Sequence, residues 1–137
     1  MTLFGEGRSE GVEGLILIGM TILNRARSPV KWWGNTIKEV CLCDVDENYE
    51  TQNGQFSCWN DHDHPNFKKM ISAWADRCNN EEMEQVMWVV KGIIHGHIIK
   101  TATYKSVNHY HAIGIMPYWA RGKLPVVVHK GHSFYSL

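Results

Sequence analysis

The sequence has no surplus of either charge. Its 137 residues contain 14 basic and 14 acidic side chains, so the net charge is zero with histidine neutral. Proteins that bind nucleic acids generally carry a basic surplus, and the balance therefore argues against a nucleic-acid partner. Hydrophobic residues make up 44% of the chain, which excludes a disordered protein. The length and the absence of a linker or repeat predict one domain that spans residues 1–137.

The sequence also lacks an apolar run long enough to cross a bilayer. The longest run extends from Val12 to Leu23, and no basic leader precedes it. We therefore expect neither a membrane segment nor a signal peptide in this chain.

Cysteine is scarce, and its spacing is not that of a metal knuckle. Cys41, Cys43, Cys58 and Cys78 contain no C-x-x-C pair, which argues against structural zinc. We favour free, partly buried thiols, with a disulfide from Cys58 to Cys41 or Cys43 as the alternative. No G-x-S-x-G elbow surrounds Ser57, so a serine or cysteine nucleophile has little support.

The apolar run is too long for a strand and is apolar on more than one face, so it predicts a mostly buried helix. Ser9 is the expected N-cap. The helix is expected to stop near Asn24 and Arg25, because Pro29 cannot continue it.

Two further helices follow from amphipathic patterns. One stripe runs from Phe67 to Cys78, and a second helix is expected to start at the cap residue Asn80, with Ile94 on its buried face. The polar stretch 44–54 predicts a surface loop. From Thr101 onward, β-branched and aromatic residues predict short strands, among them 126–128 and 134–135. The expected fold class is α+β, with three main helices and a small β-rich C-terminal part.

A carboxylate, Glu6, stands between two glycines directly before the central helix. A carboxyl group held rigidly beside a core can serve as a general acid. Glu10 lies one helical turn further and is interpreted as structural. Asp61 is a possible second carboxylate, although its neighbours predict a turn.

Six of the eight histidines form H-x-H pairs, and His109/His111 is the pair in strand-like sequence. Residues i and i+2 of a strand face the same side, so this pair could share a metal with His129 or His132. The alternative is that both are hydrogen-bonding cleft or core residues. We favour the alternative, because no H-E-x-x-H or Cys/His ligand spacing is present, and we expect no metal.

Several segments, in the same order and at similar spacing, resemble the SleB-like cell wall hydrolases, which include the spore cortex-lytic transglycosylases. The resemblance covers nearly the whole chain and rests on FGEGRSEG at 4–11, NRARSP at 24–29, QFSCWND at 55–61, NHYHAIGIMPYWARG at 108–122 and HKGHSFY at 129–135.

The resemblance implies a domain related to lysozyme-like and lytic-transglycosylase folds that cleaves the glycan strands of peptidoglycan. The first Glu of the family's G-E-A-R-G-E-like motif falls on Glu6, which would be the catalytic acid. Gly7 and Ser9 replace the usual Ala and Gly of this motif. The residues expected to bind the sugar are Gln55, Ser57, Asn60, His109 and His111 as hydrogen-bonding groups, and Trp59, Tyr110 and Trp119 as stacking rings.

A single general acid suffices for a lytic transglycosylase, which closes the sugar's own 6-hydroxyl onto the anomeric carbon, whereas a muramidase needs a second carboxylate. We expect glycan cleavage of one of these two kinds, without a cofactor, by a monomer. The alternatives are a metal-dependent amidase that uses His109 and His111, and a non-catalytic peptidoglycan-binding virion domain. The expected location is the cytoplasm until release to the cell wall, as for a phage lysis protein, or the virion.

Overall fold

The computed structural model describes residues 1–45, 54–60, 62, 64–98 and 100–137. Within them it contains six α-helices and one three-stranded sheet, which confirms the α+β prediction. The helices are α1 (Thr2–Gly7), α2 (Gly11–Arg27), α3 (Ile37–Cys41), α4 (Pro65–Ala75), α5 (Glu81–Ile94) and α6 (Ala102–Ser106). The strands are β1 (His109–Ala112), β2 (Val127–His129) and β3 (His132–Tyr135), and single 3-10 turns lie at Lys31–Trp33, Ser57–Trp59 and Tyr118–Ala120.

Helix α2 is the buried central helix that the apolar run predicts. All of its residues from Gly14 to Leu23 are buried, and it contacts α1, α3, α5, α6 and β1. The predicted Ser9 cap is wrong: Ser9 lies in the turn between α1 and α2, and no side chain caps α2. Gly11 makes this corner with a φ of 72°, a value that glycine adopts without strain. The helix ends at Arg27, two residues before Pro29 and slightly later than expected.

Helices α4 and α5 confirm the two amphipathic predictions in outline. Asn80 caps α5, because its side chain accepts a hydrogen bond from the backbone N–H of Met83. The prediction that Ile94 is buried is wrong, since this side chain is 59% exposed while its neighbour Ile93 faces α2. Of the predicted stripe from Phe67 to Cys78, Met70 is buried, and Phe67 and Trp74 are half-buried against the core. Its other members, Ile71, Ala75 and Cys78, are exposed.

The segment from Thr101 is helical at its start, which corrects the prediction of strand structure there. The hydroxyl of Thr101 accepts from the N–H of Tyr104 and caps α6. Asn24 of α2 donates its side-chain amide to the carbonyls of Tyr104 and Val107, both at 2.8 Å. These contacts with a distant helix outweigh the local β propensity of the β-branched and aromatic residues.

The sheet has the order β1-β3-β2, and both pairings are antiparallel. Tyr110 lies opposite Phe134 and Ala112 opposite His132, so these side chains share the face that packs toward the helices. The other face carries the side chains of His109, His111, Ser133 and Tyr135. The predicted strands at 126–128 and 134–135 are therefore confirmed.

All four cysteines are free thiols. Across the described ranges, no helix has both the length and the apolarity to cross a membrane. Most of the predicted surface loop 44–54 and the possible second carboxylate Asp61 fall outside the described residues.

Candidate active site

The two glycines that flank Glu6 allow α1 to pack very closely against its neighbours. A Cβ atom added at Gly5 would lie 2.5 Å from Cβ of Cys58, in the turn Ser57–Trp59. One added at Gly7 would lie 2.8 Å from Cδ1 of Ile18 on α2. The Gly-Glu-Gly sequence thus brings the end of α1 against both elements and directs the Glu6 carboxylate at the 3-10 turn.

Three residues of the described part of the chain form hydrogen bonds with the Glu6 carboxylate. Oε1 accepts from the Cys58 backbone N–H at 2.8 Å and from the Ser57 hydroxyl at 3.1 Å. Oε2 accepts from the Tyr110 hydroxyl at 2.6 Å. The side chain is half-buried, so these contacts fix its position while the cleft keeps access to solvent. The structure thereby brings Glu6, Ser57 and Tyr110 together.

Two of these three partners are hydroxyls, which can reverse their role. A hydroxyl donates one hydrogen bond and also accepts through its lone pairs, whereas the Cys58 N–H can only donate. When Glu6 carries a proton, its carboxylic O–H can donate a hydrogen bond to the hydroxyl oxygen of Ser57 or Tyr110. When Glu6 is ionised, both hydroxyls donate. The site can therefore hold Glu6 in either protonation state without moving the carboxylate.

Tyr110 keeps its own proton in this contact. Burial raises the pKa of its phenol well above the ordinary value, and the negative charge of Glu6 raises it further. The sequence predicted this side chain as a stacking ring. Its hydroxyl instead contacts the carboxylate from the helix-facing side of β1.

Arg25 is a site residue that the sequence reasoning missed, because it was assigned only to the helix end. It is buried, it donates from Nε to the carbonyl of Asn108 at 2.6 Å, and it donates from Nη1 to Gln55 Oε1 at 3.0 Å. Its guanidinium also lies over the rings of Trp33 and Phe56. Burial lowers its pKa, while the negative charge of Glu6 acts in the opposite direction. Arg25 therefore supplies positive charge near the carboxylate.

His109 belongs to an aromatic group on the other face of β1. Its ring centroid lies 5.4 Å from that of Trp33 and 4.9 Å from that of Trp119. Nδ1 lies 2.8 Å from Asn108 Oδ1 and donates to it. Burial, followed by the charges of Arg25 and Lys123, lowers its pKa to about 4. A neutral His109 beside two indole rings is suited to contact a sugar.

His111 is built into the fold more deeply than its partner in the H-x-H pair. Nδ1 donates to the carbonyl of Ala112 at 2.9 Å. Nε2 lies at the same distance from the Tyr135 hydroxyl. Its ring also stacks on Tyr135. Both ring nitrogens therefore have partners inside the protein, which favours a supporting role over contact with substrate.

The remaining predicted sugar contacts differ in how accessible they are. Trp59 is only 2% exposed, and its indole N–H donates to the Thr2 hydroxyl, so it packs in the core. Gln55 connects Arg25 with the carbonyl of Trp33. Asn60 accepts from the N–H of Gly54 through its side-chain oxygen. Gln55 and Asn60 thus shape the loop beside Glu6.

The described residues contain no cluster of three or more His, Cys, Asp or Glu side chains that could hold a metal ion. The sheet keeps two of the candidate metal ligands apart, because His111 and His132 project from its opposite faces. His129 is engaged elsewhere, since its Nε2 donates to the backbone carbonyl of Glu10. The ligand set of the amidase alternative is therefore not assembled in this part of the chain.

Glu10 is buried behind the site, where Oε1 lies 3.2 Å from Nδ1 of His132. The ring of His132 contacts Tyr110 edge-on, with 5.6 Å between centroids. Glu10 thus supports Tyr110 from inside the fold, which agrees with its interpretation as structural.

A fixed, half-exposed carboxylate with reversible hydroxyl partners and aromatic side chains nearby fits the class of enzymes that act on carbohydrates. The chain belongs to the cell wall hydrolase family, whose family model matches residues 9–135. It is therefore a peptidoglycan-hydrolysing enzyme, and the resemblance identified from the sequence is confirmed. Glu6 lies three residues before the matched range. No curated protein and no solved structure matches the chain.

Proposed function

We propose that the protein cleaves peptidoglycan glycan strands as a lytic transglycosylase, with Glu6 as its acid and base. The observation that carries the proposal is the contact of Glu6 with two reversible hydroxyls, Ser57 and Tyr110. A transglycosylase must use one carboxyl group first as an acid and then as a base. A site that accommodates both protonation states in one position suits that requirement.

The proposed reaction balances with Glu6 alone. Protonated Glu6 gives its proton to the glycosidic oxygen, and the bond from that oxygen to the anomeric carbon breaks. The sugar left behind develops oxocarbenium character. Its 6-hydroxyl then attacks the anomeric carbon and returns its proton to Glu6, which yields a 1,6-anhydro sugar and the original enzyme.

A cavity of about 280 Å³ adjoins the Glu6 segment and offers space for the sugar. It is lined by Gly5, Ser57, Cys58, His64, Asn66 and Phe67. The side-chain oxygen of Asn66 is held by Arg8 at 2.5 Å, which orients the amide. The rings of His109 and Trp119 lie on the opposite face of β1 from Tyr110 and offer a second surface for a sugar. We propose that the glycan strand binds in this cavity, beside the Glu6 carboxylate.

The test compares Glu6→Gln with Glu13→Gln, which removes an exposed carboxylate from α2 outside the site. Glu6→Gln should lower glycan cleavage by about 10²–10⁴-fold, the usual contribution of a general acid, and should still fold and bind peptidoglycan. Glu13→Gln should keep the wild-type rate. Near-normal turnover by folded Glu6→Gln would overturn the proposed mechanism.

Mass spectrometry of the digestion products identifies the reaction type. Lytic transglycosylation predicts 1,6-anhydro ends. Reducing ends would instead indicate a muramidase, which needs a second carboxylate. Freed stem peptides, with turnover abolished by EDTA and restored by zinc, would indicate the amidase alternative. Binding without any product would indicate a non-catalytic domain.

A further inference from the structure

A second cavity, of about 480 Å³, lies where the C-terminal end of α2 meets α6. Three cationic side chains line this basic pocket: Arg27, Lys100 and Lys105. Its remaining wall combines apolar and neutral polar side chains, namely Met20, Trp33, Asn24, Ser28, Ser106 and Asn108.

The three cations have no anionic partner in the described part of the chain. None of them forms an ion pair with a described carboxylate, and each is exposed. The whole chain carries equal numbers of basic and acidic residues, so this local excess of positive charge is not a consequence of its composition. Three neighbouring cations repel one another, and an anion bound among them would relieve that repulsion.

The polar wall of the pocket is held in place by hydrogen bonds to the backbone. Asn24 donates to the carbonyls of Tyr104 and Val107, which fixes α6 against α2. Asn108 exchanges two hydrogen bonds with the backbone of Leu137, at 2.8 and 2.9 Å. The pocket is therefore preformed, and only the flexible cationic side chains need to close on a ligand.

Two residues that line the basic pocket also contact residues of the candidate active site. Trp33 lines the pocket and also contacts the ring of His109. The carbonyl of Asn108, another lining residue, accepts from the site residue Arg25. A substrate that lies against His109 therefore passes directly beside the pocket.

We infer that the basic pocket binds the carboxylates of the stem peptides that branch from the glycan strand. This inference rests on the proposed function, because peptidoglycan is the polymer that carries such peptides beside its glycosidic bonds. Lysine and arginine supply the charge, while Trp33 and Met20 offer apolar surface to the peptide's aliphatic atoms. The pocket thus adds recognition of the peptide branch to recognition of the sugar.

The test compares the double variant Lys100→Gln/Lys105→Gln with the control Lys68→Gln/Lys91→Gln, which removes two cations from α4 and α5. The substrates are glycan strands with their stem peptides and strands from which an amidase has removed them, both free of wall phosphate polymers. Exposed ionic contacts are individually weak, so the pocket variant should raise KM on peptide-bearing strands by about 3- to 10-fold. Its kcat, and its KM on bare strands, should remain those of the wild type.

A binding measurement separates this inference from the proposed catalytic mechanism. Free stem peptide titrated into Glu6→Gln protein, observed by NMR, should shift signals of residues 100–108, and added salt should weaken the binding. Loss of the shifts in the pocket variant, and not in the control, supports the inference whatever reaction Glu6 performs. Absent shifts, or an equal KM change on both substrates, would overturn it.

Discussion

Tyr110 donates to Glu6 across 2.6 Å, and Tyr104 donates to Glu13 at the same distance elsewhere in the molecule. The two pairs are chemically alike, and both link the C-terminal third of the chain to its N-terminal helices. They differ in surroundings, because the first pair lies at the candidate active site and the second is exposed on α2 and α6. The Tyr104–Glu13 contact therefore serves as a control for the role of the Tyr110–Glu6 contact.

Tyr110→Phe should slow glycan cleavage without unfolding the protein. The variant keeps the buried ring and removes the hydroxyl that fixes Glu6 Oε2. A hydrogen bond to a charged group contributes about 1.5–3 kcal/mol, which predicts a loss of roughly 10–100-fold in kcat. Tyr104→Phe removes the matching contact to Glu13 and should keep the wild-type rate. Equal rates for the two variants, measured with purified peptidoglycan, would refute a positioning role for Tyr110.

Gly5→Ala should damage both stability and activity. The added methyl would lie 2.5 Å from Cβ of Cys58 and 2.8 Å from Sδ of Met70, so α1 must move away from the 3-10 turn. Overpacking of this kind typically costs about 1–3 kcal/mol. The displacement also lengthens the hydrogen bonds from Ser57 and Cys58 to Glu6.

The control for Gly5→Ala is Gly114→Ala, at a position where an added Cβ meets no atom within 4 Å. Urea denaturation and initial rates should show a loss only for the variant at Gly5. An unchanged midpoint and rate for Gly5→Ala would mean that close packing of α1 does not position Glu6.

The sequence predicted the helices whose periodicity is strong and local. The apolar run predicted α2, and the cap residue Asn80 predicted the start of α5. Both signals are local, because a cap and a buried stripe depend on residues only a few positions apart. Glu6, the proposed acid, and the nearby Ser57 and Tyr110 followed from motif resemblance. The helix α6 was missed, because its conformation depends on contacts with Asn24, which is 80 residues before Tyr104 in the chain.

The contacts that each site residue makes were harder to predict from the sequence than which residues form the site. Tyr110 was expected to stack, yet its position on the helix-facing side of β1 directs its hydroxyl to Glu6. The main-chain donor of Cys58 has no side-chain signature in the sequence. Arg25 has the appearance of a helix-end cation, and only the packing of Trp33 and Phe56 around it shows that it is buried.

Cys58 should be unreactive toward thiol reagents although it lies beside Glu6. Burial raises the pKa of its thiol well above the ordinary value, and the charge of Glu6 raises it further. The thiolate is the reactive form, so an aromatic disulfide reagent at pH about 8 should modify exposed Cys78 first and leave turnover nearly intact. Cys78→Ser protein should lack this fast reaction. Rapid labelling of Cys58, with activity lost and the fold retained, would revive a nucleophilic role for that residue.

His109 should make the protein less stable as the pH falls from about 6.5 to about 4. Its pKa is about 4 in the folded protein against an ordinary value of 6.5, because of burial and the charges of Arg25 and Lys123. Between these two values the unfolded chain takes up a proton at this position and the folded chain does not. Linkage then requires the free energy of unfolding to decrease as the pH falls through this window, and to level off below it.

The measurement is the urea midpoint of wild type and of His109→Gln at pH values from about 4 to about 7.5. All other titrating groups are common to both proteins, so the difference between the two curves isolates His109. The wild type should lose stability relative to the variant toward the acidic end, and the difference should stay constant above about pH 7. Parallel curves for wild type and His109→Gln would show that His109 titrates alike in the folded and unfolded chains, and that the ring is not desolvated between Trp33 and Trp119.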